Sequence, residues 1–196
     1  MRTLLIGGAR SGKSALAQRW SNERSSDVCT VVTGTASDPE MAARITAHRR
    51  ERPAHWRVRE ESLHLGQAIR EERAGVILVD CLTLWISNCL WPPGLADTDL
   101  AAWHRERDDF LDALRGYAAE ARAAEAPPGE IIIVTNEVGT GIVPYNAASR
   151  TFRDEQGWLN QAVASVCDEV FFVTAGLPLT LKPSPPTPGR TTTQPR

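Results

Sequence analysis

Cysteine is scarce in this chain, with four in 196 residues (Cys29, Cys81, Cys89 and Cys167) and no CxxC spacing among them. Cys29, Cys81 and Cys167 sit in or beside apolar runs and read as reduced, buried thiols of a cytoplasmic protein. No apolar run approaches the roughly 20 residues that a membrane span needs. The opening stretch Met1–Gly8 is too brief for a signal peptide and runs straight into a glycine-rich motif. Positive charge is not in excess: Lys+Arg total 22 against 24 for Asp+Glu, a formal net charge of −2. That balance argues against nucleic acid held by a general positive field and leaves room only for a local basic patch. No internal repeat is visible. What the chain does have is 42% hydrophobic and 23% charged residues, an ordinary globular balance that excludes wholesale disorder. Its length fits the roughly 100–200 residues of one domain. A domain of this size buries about 70% of its unfolded surface, so it needs neither disulfides nor a structural metal.

Five short apolar runs read as strands: Leu4–Ile6, Val28–Thr33, Val76–Val79, Ile131–Val134 and Val170–Val173. Each is apolar on both faces, as in a parallel sheet covered on both sides by helices. Polar residues close several of them (Asp80, Thr135-Asn136-Glu137), where open α/β sheets place their ligands. Helical spacing is predicted over Ser14–Arg24, Met41–Arg50, Asp99–Glu125 and Asp154–Val166. The third of these carries the stripe Leu100, Trp103, Phe110, Leu111, Leu114, Tyr117 and Ala121, and stops at Pro127-Pro128-Gly129. Trp91-Pro92-Pro93-Gly94 reads as a loop. Trp20, Trp85, Trp103 and Trp158 are expected in the core or at subunit contacts, and His55, His64 and His104 as structural or surface residues. The fold class is α/β, with a mainly parallel central sheet between two helical layers over residues 1–182. Residues 183–196, rich in Pro and Thr, have almost nothing to bury and are expected to be disordered.

Gly7-Gly8-Ala9-Arg10-Ser11-Gly12-Lys13-Ser14 fits GxxxxGK[ST]. In that pattern backbone N–H groups curl around a phosphate, the lysine reaches the outer phosphate oxygens, and the hydroxyl of Ser14 ligates Mg²⁺. A strand before it and a helix after it supply the expected context; the plain alternative is a glycine turn with a surface lysine. Asp80 closes an apolar strand, the place of the acidic residue that holds Mg²⁺ in P-loop proteins, or else caps the next turn. Arg44, Arg49, Arg50 and Arg52 surround His48. This is either a solvated basic helix face or a nucleophilic histidine whose neighbours clamp phosphate oxygens. Nearby guanidinium charge favours the neutral imidazole that such attack requires.

Several stretches together resemble one family. They are Gly7–Ser14; Asp38–Ile45 with His48; Arg52-Pro53-Ala54-His55-Trp56 with Glu60; and Asp80-Cys81-Leu82-Thr83-Leu84-Trp85. Further on come Thr135-Asn136-Glu137-Val138-Gly139-Thr140-Gly141-Ile142-Val143-Pro144, Phe152-Arg153-Asp154 with Gly157 and Asn160-Gln161, and Asp168-Glu169-Val170 before Gly176-Leu177-Pro178. The chain resembles the bifunctional adenosylcobinamide kinase / adenosylcobinamide-phosphate guanylyltransferases of cobalamin synthesis over residues 2–182. The resemblance implies a three-layer, RecA-like P-loop fold, a cytoplasmic homotrimer, and adenosylcobinamide, ATP and GTP as substrates with Mg²⁺. It implies phosphorylation of adenosylcobinamide, then transfer of GMP through a guanylylated His48. It places nucleotide at Gly7, Gly8, Ala9, Arg10, Ser11, Gly12, Lys13 and Ser14, at Thr33, Gly34 and Thr35, at Arg49, Arg50, Glu51 and Arg52, and at Glu60 and Asp80. Lys13 joins His48 as catalytic, and Ser14 and Asp80 are the only metal ligands that can be argued. Glu137 is a candidate base for the kinase step, with a turn role as its alternative. The competing readings are a single-activity P-loop kinase, which gives no reason for His48 among arginines, and a nucleotide-dependent switch, against which the near-neutral net charge and the lack of an obvious effector module count.

Overall fold

The computed structural model describes residues 1–35, 39–92, 98–123 and 129–183, with the side chains of His48, Glu51 and several residues of the second and fifth helices outside that set. The strands are β1 (Arg2–Gly7), β2 (Val28–Val32), β3 (Arg57–Glu60), β4 (Val76–Asp80), β5 (Glu130–Asn136), β6 (Glu169–Thr174) and β7 (Leu177–Lys182). The helices are α1 (Lys13–Arg24), α2 (Pro39–Glu51), α3 (Leu65–Glu71), α4 (Leu82–Leu90), α5 (Leu100–Ala123) and α6 (Ala147–Val166). The strands form one sheet in the order β3-β2-β4-β5-β1-β6-β7, parallel throughout except for antiparallel β7.

Alternate residues of the central strands bury opposite faces. Leu4, Ile6, Ile77, Val79, Ile131 and Ile133 meet α3, α4, α5 and α6 in the larger core, around Trp85, Trp103 and Phe110. Trp85 is fully buried, with ring centroids of Trp103 and Phe110 both 5.1 Å away, and its indole N–H donates to the Leu63 carbonyl at 2.7 Å. Leu5, Val28, Val76, Leu78, Ile132 and Val134 meet Leu16 and Ala17 of α1, with Trp56, on the other face. The α/β expectation and its three layers are what the chain adopts.

The differences lie at the sheet edges and helix starts. β3 carries Arg57, Arg59 and Glu60, so it has no apolar run; charge covers an exposed edge, with Arg57 paired to Glu72 and Arg59 to Glu71, each at 2.7 Å. β7 is exposed along its whole length and follows a two-residue turn in which Ala175 and Gly176 both have positive φ (51° and 78°), the geometry of a type I′ hairpin. Helix α6 begins at Ala147, seven residues before the predicted Asp154, because Asn146 caps it by accepting the Ser149 N–H at 2.7 Å. Helices α3 and α4 are not marked by the spacing, since at seven and nine residues each offers too few turns for a periodic stripe to show. Trp158, unlike Trp85 and Trp103, is exposed. The predicted tail, from residue 184 onward, and part of the 91–94 loop lie outside the described residues.

Candidate active site

The parallel register lines up the carboxyl ends of the strands. Glu60 of β3, Val32 of β2, Asp80 of β4 and Val134 of β5 occupy one row across the sheet, and Gly7 of β1 pairs with Asn136 two residues further on. A cleft of about 450 Å³ opens above this edge. Lys13, Ser14, Gly34, Thr35, Arg49, Arg52, Glu60 and Asp80 all line it. Residues that are distant in sequence thus meet because most of them end a strand or open the segment after one, while Arg49 and Arg52 come from the C-terminal end of α2 and the residue after it.

The loop Gly7–Gly12 joins β1 to α1. Gly12 lies at φ 93°, a region that L side chains seldom enter, and a Cβ there would stand 3.0 Å from Gly176 Cα. The same turn fastens the loop, since the Gly176 N–H donates to the Ser11 carbonyl at 2.8 Å. The N-cap of α1 is Gly12, which has no side chain to cap the helix, so the first N–H groups of α1 face the loop available to an anion. Lys13 is buried, and its ammonium donates to the Gly8 carbonyl at 3.0 Å. Ser14 is half-buried at the cleft wall.

Thr33 stands behind the cleft, where its hydroxyl donates to the Cys81 carbonyl at 2.6 Å and accepts the Cys81 N–H at 3.1 Å. It therefore fixes the turn that follows Asp80. Asn88 ties in the same segment by donating to the Thr33 carbonyl at 2.7 Å. Asp80 accepts from Arg52 at 3.2 Å, with both side chains about nine-tenths buried. Arg49 and Glu60, both well exposed, form a second pair. Burial pushes the Cys81 thiol up, and the Asp80 charge adds to this, so the thiol is unsuited to nucleophilic work at neutral pH.

Among the other expected residues, Arg50 is exposed and does not line the cleft; Ala9 and Arg10 are exposed on the loop. The α2 backbone sets His48 between Ile45 and Arg49, both of which line the cleft, while the His48 and Glu51 side chains lie outside the described residues. Glu137 does not line the cleft, and its carboxylate accepts the Gly139 N–H at 2.6 Å, which is its turn role. His55 is exposed; His64 and His104 face Glu106 and Glu155 at 3.0 and 3.3 Å, away from the cleft.

The family model for cobinamide kinase / cobinamide phosphate guanyltransferase matches residues 3–181. The chain belongs to that family. The bifunctional adenosylcobalamin biosynthesis protein CobP of Pseudomonas aeruginosa is 46% identical over 187 residues, covering 94% of this chain and 99% of that one. The CobU protein of Salmonella typhimurium, with the same descriptive name, is 39% identical, covering 93% and 100%. Among solved structures, the RadB recombinase aligns with 87% of this chain and 73% of its own at 15% identity and a TM-score of 0.43, too loose to carry weight.

For this member of the cobinamide kinase family, the sequence marked Asn136 only as part of a polar strand end and gave it no contact; its backbone is held by a buried cluster beneath the cleft. Asn160 Nδ2 donates to the Asn136 carbonyl at 3.0 Å, and Asn160 Oδ1 accepts from Thr135 at 2.8 Å and Gln156 at 3.0 Å. Its position at the polar end of a strand was the available signal. Arg52 was expected to meet nucleotide, but its pairing with Asp80, 28 residues away, follows only from the fold.

Proposed function

We infer that the chain phosphorylates adenosylcobinamide with ATP or GTP and then transfers GMP from GTP to the resulting phosphate, giving adenosylcobinamide-GDP and pyrophosphate. One observation carries this reading: a chain matched to the family over nearly its whole length has a single cleft where Lys13, Ser14, Asp80, Arg49 and Arg52 converge beside the helix that bears His48.

In the kinase step the Gly7–Ser14 loop holds the nucleotide phosphates, and Lys13 offsets charge as the γ-phosphoryl passes to the substrate hydroxyl. In the second step, neutral His48 attacks the α-phosphorus of GTP. A P–N bond forms, the bond to the β-phosphate oxygen breaks, and pyrophosphate leaves. The terminal phosphate of adenosylcobinamide phosphate then attacks the same phosphorus, the P–N bond breaks, and the imidazole is restored. Splitting the transfer keeps the two anions from having to meet directly, and Arg49 and Arg52 neutralise the phosphate oxygens in both halves. Thr33, Gly34, Thr35, Glu60 and the remaining arginine, Arg50, belong to the nucleotide's surroundings in this reading.

Ser14 and Asp80 fit Mg²⁺: a hydroxyl and a carboxylate line one cleft, and no cluster of three or more His, Cys, Asp or Glu occurs among the described residues. Two protein oxygens with phosphates and water completing the shell is the usual habit of this ion. When bound, Mg²⁺ supplies charge neutralisation on the phosphates. We assign the exposed Ile142, Val143 and Tyr145, and Leu177, Leu179 and Leu181 on one face of β7, to contacts between copies in a cytoplasmic homotrimer. No helix among the described residues is long and apolar enough to cross a membrane.

Mass analysis of products after incubation with adenosylcobinamide, ATP and GTP tests the reading. It expects adenosylcobinamide-GDP and pyrophosphate. Accumulation of adenosylcobinamide phosphate alone would leave a kinase only, and no cobinamide product at all would sink both steps.

A further inference from the structure

One partner of Asp80 is among the arginines assigned above to phosphate. Arg52 Nη2 donates to Asp80 Oδ2 at 3.2 Å, and the two side chains are 8% and 10% exposed. Among the described residues the guanidinium is only partly satisfied, because Arg52 Nε is buried with no hydrogen-bond partner among them. A buried charged group with an unmatched N–H is poorly placed in energy, and it gains by meeting a further acceptor. Arg52 shares the cleft wall with Lys13, Ser14 and Arg49. An anion entering that cleft offers the oxygen pair that a guanidinium fork matches best.

Asp80, for its part, is the carboxylate read above as the metal ligand, and the present inference rests on that reading. A divalent cation approaching Asp80 meets a positive charge already on one of its oxygens. Two cations within a few ångströms of one another, at a carboxylate that is about nine-tenths buried, repel strongly. Each therefore weakens the other's hold on the carboxylate.

We propose that Arg52 is a resident counter-cation of Asp80 and that the two exchange partners on binding. Asp80 passes from the guanidinium to the metal, and Arg52 passes from the carboxylate to the phosphates that arrive with it. No covalent bond changes. Two consequences follow: metal alone binds weakly because it must displace Arg52, and metal and nucleotide favour one another because each supplies the partner that the other's arrival leaves vacant. Arg52 is thus a positioning residue for the metal and a binding residue for the nucleotide, never both in one state.

The test is Mn²⁺ binding to the full, nucleotide-free chain, followed by the paramagnetic resonance signal of free Mn²⁺. Wild type, Arg52→Gln and Asp80→Asn are compared, with circular dichroism to check folding. Arg52→Gln should bind Mn²⁺ about tenfold more tightly than wild type, because the competing charge is gone. Asp80→Asn should lose the site. Unchanged affinity in Arg52→Gln, with the site lost in Asp80→Asn, overturns the exchange and leaves the metal reading standing. Mn²⁺ binding indifferent to Asp80→Asn overturns the metal reading and the exchange with it. A second measurement needs no variant: phenylglyoxal labelling of Arg52 in the wild type, read by peptide mass spectrometry. Mg²⁺ alone should raise labelling of Arg52 several-fold, and Mg²⁺ with GTP should suppress it again. Labelling that ignores Mg²⁺ overturns the proposal.

Discussion

A methyl group added at Gly7 has no space to occupy. An ideal Cβ would stand 2.3 Å from the Val173 carbonyl oxygen and 2.7 Å from Ser11 Oγ. Ordinary contact needs roughly 3.5 Å, so about 1 Å of relief must come from somewhere. The serine hydroxyl can turn aside, but the Val173 oxygen belongs to the backbone of β6, which is fixed between β1 and β7. The loop or the strand must therefore give. Overpacking of this kind costs about 1–3 kcal/mol, and a backbone obstacle sets the expectation at the upper end, about 3 kcal/mol. For a chain of this size each kcal/mol is worth about 2–4 °C, so Gly7→Ala should melt about 6–12 °C below wild type. A displacement of about 1 Å in the phosphate loop should also lower phosphoryl transfer by about 100-fold. Gly8 is the control, since nothing lies within 4 Å of a Cβ built there. Gly8→Ala should stay within about 0.5 kcal/mol of wild type. Thermal melts followed by circular dichroism, with a coupled kinase assay, read both quantities. Gly7→Ala melting alongside wild type, or Gly8→Ala falling as far, would refute the reasoning.

Asp168 accepts from the Arg2 backbone N–H at 2.7 Å and from its side chain at 3.2 and 2.7 Å. Burial acts to raise the Asp168 pKa, but the Arg2 hydrogen bonds and charge outweigh it and hold the carboxyl below its ordinary value. A depressed folded-state pKa means that the stabilisation is present above the unfolded value of about 3.9 and fades as pH falls through the folded one. Asp168→Asn should therefore cost about 2 kcal/mol at pH 7, with the gap narrowing below about pH 4; urea titrations showing a gap as wide at pH 3 would contradict this. Asn160→Ala strips partners from Thr135, Gln156 and the Asn136 carbonyl, so it should destabilise by about 2–3 kcal/mol and raise the substrate KM, while a variant as stable as wild type would disprove the network's role. Burial pushes the Cys29, Cys89 and Cys167 thiols up to about 12, so these three should leave Ellman's reagent unreacted at pH 8 in the folded protein and react only in denaturant; more than one fast native thiol would count against the packing described.

The strands buried on both faces were legible because a run such as Ile131–Val134 has no polar alternative to burial. The edge strands were not. Arg57–Glu60 is a strand only because β2 offers it backbone partners, and Leu177–Lys182 because the Ala175-Gly176 turn folds it back on β6. Neither cause is local to the segment. The same distinction runs through the site. The phosphate loop is contiguous, and its motif stands in the sequence whole. Asp80 was marked by its place at a strand end, and Asn136 carried the same mark in a segment assigned no nucleotide contact. The Arg52–Asp80 pair leaves no trace in spacing, because it depends on where α2 ends relative to β4. Thr33 matched a nucleotide position by resemblance, yet the structure also shows its hydroxyl bracing the Cys81 peptide, a task that only the fold reveals.

The proposed guanylyl transfer turns on a covalent nucleotide at His48. Purified protein incubated with Mg²⁺ and GTP labelled at the α-phosphate, then denatured, should retain label that is acid-labile and alkali-stable, the behaviour of a phosphoramidate. A folded His48→Ala variant treated alongside should retain none. Wild-type protein that binds GTP yet keeps no label, or a variant that labels equally, would contradict the account.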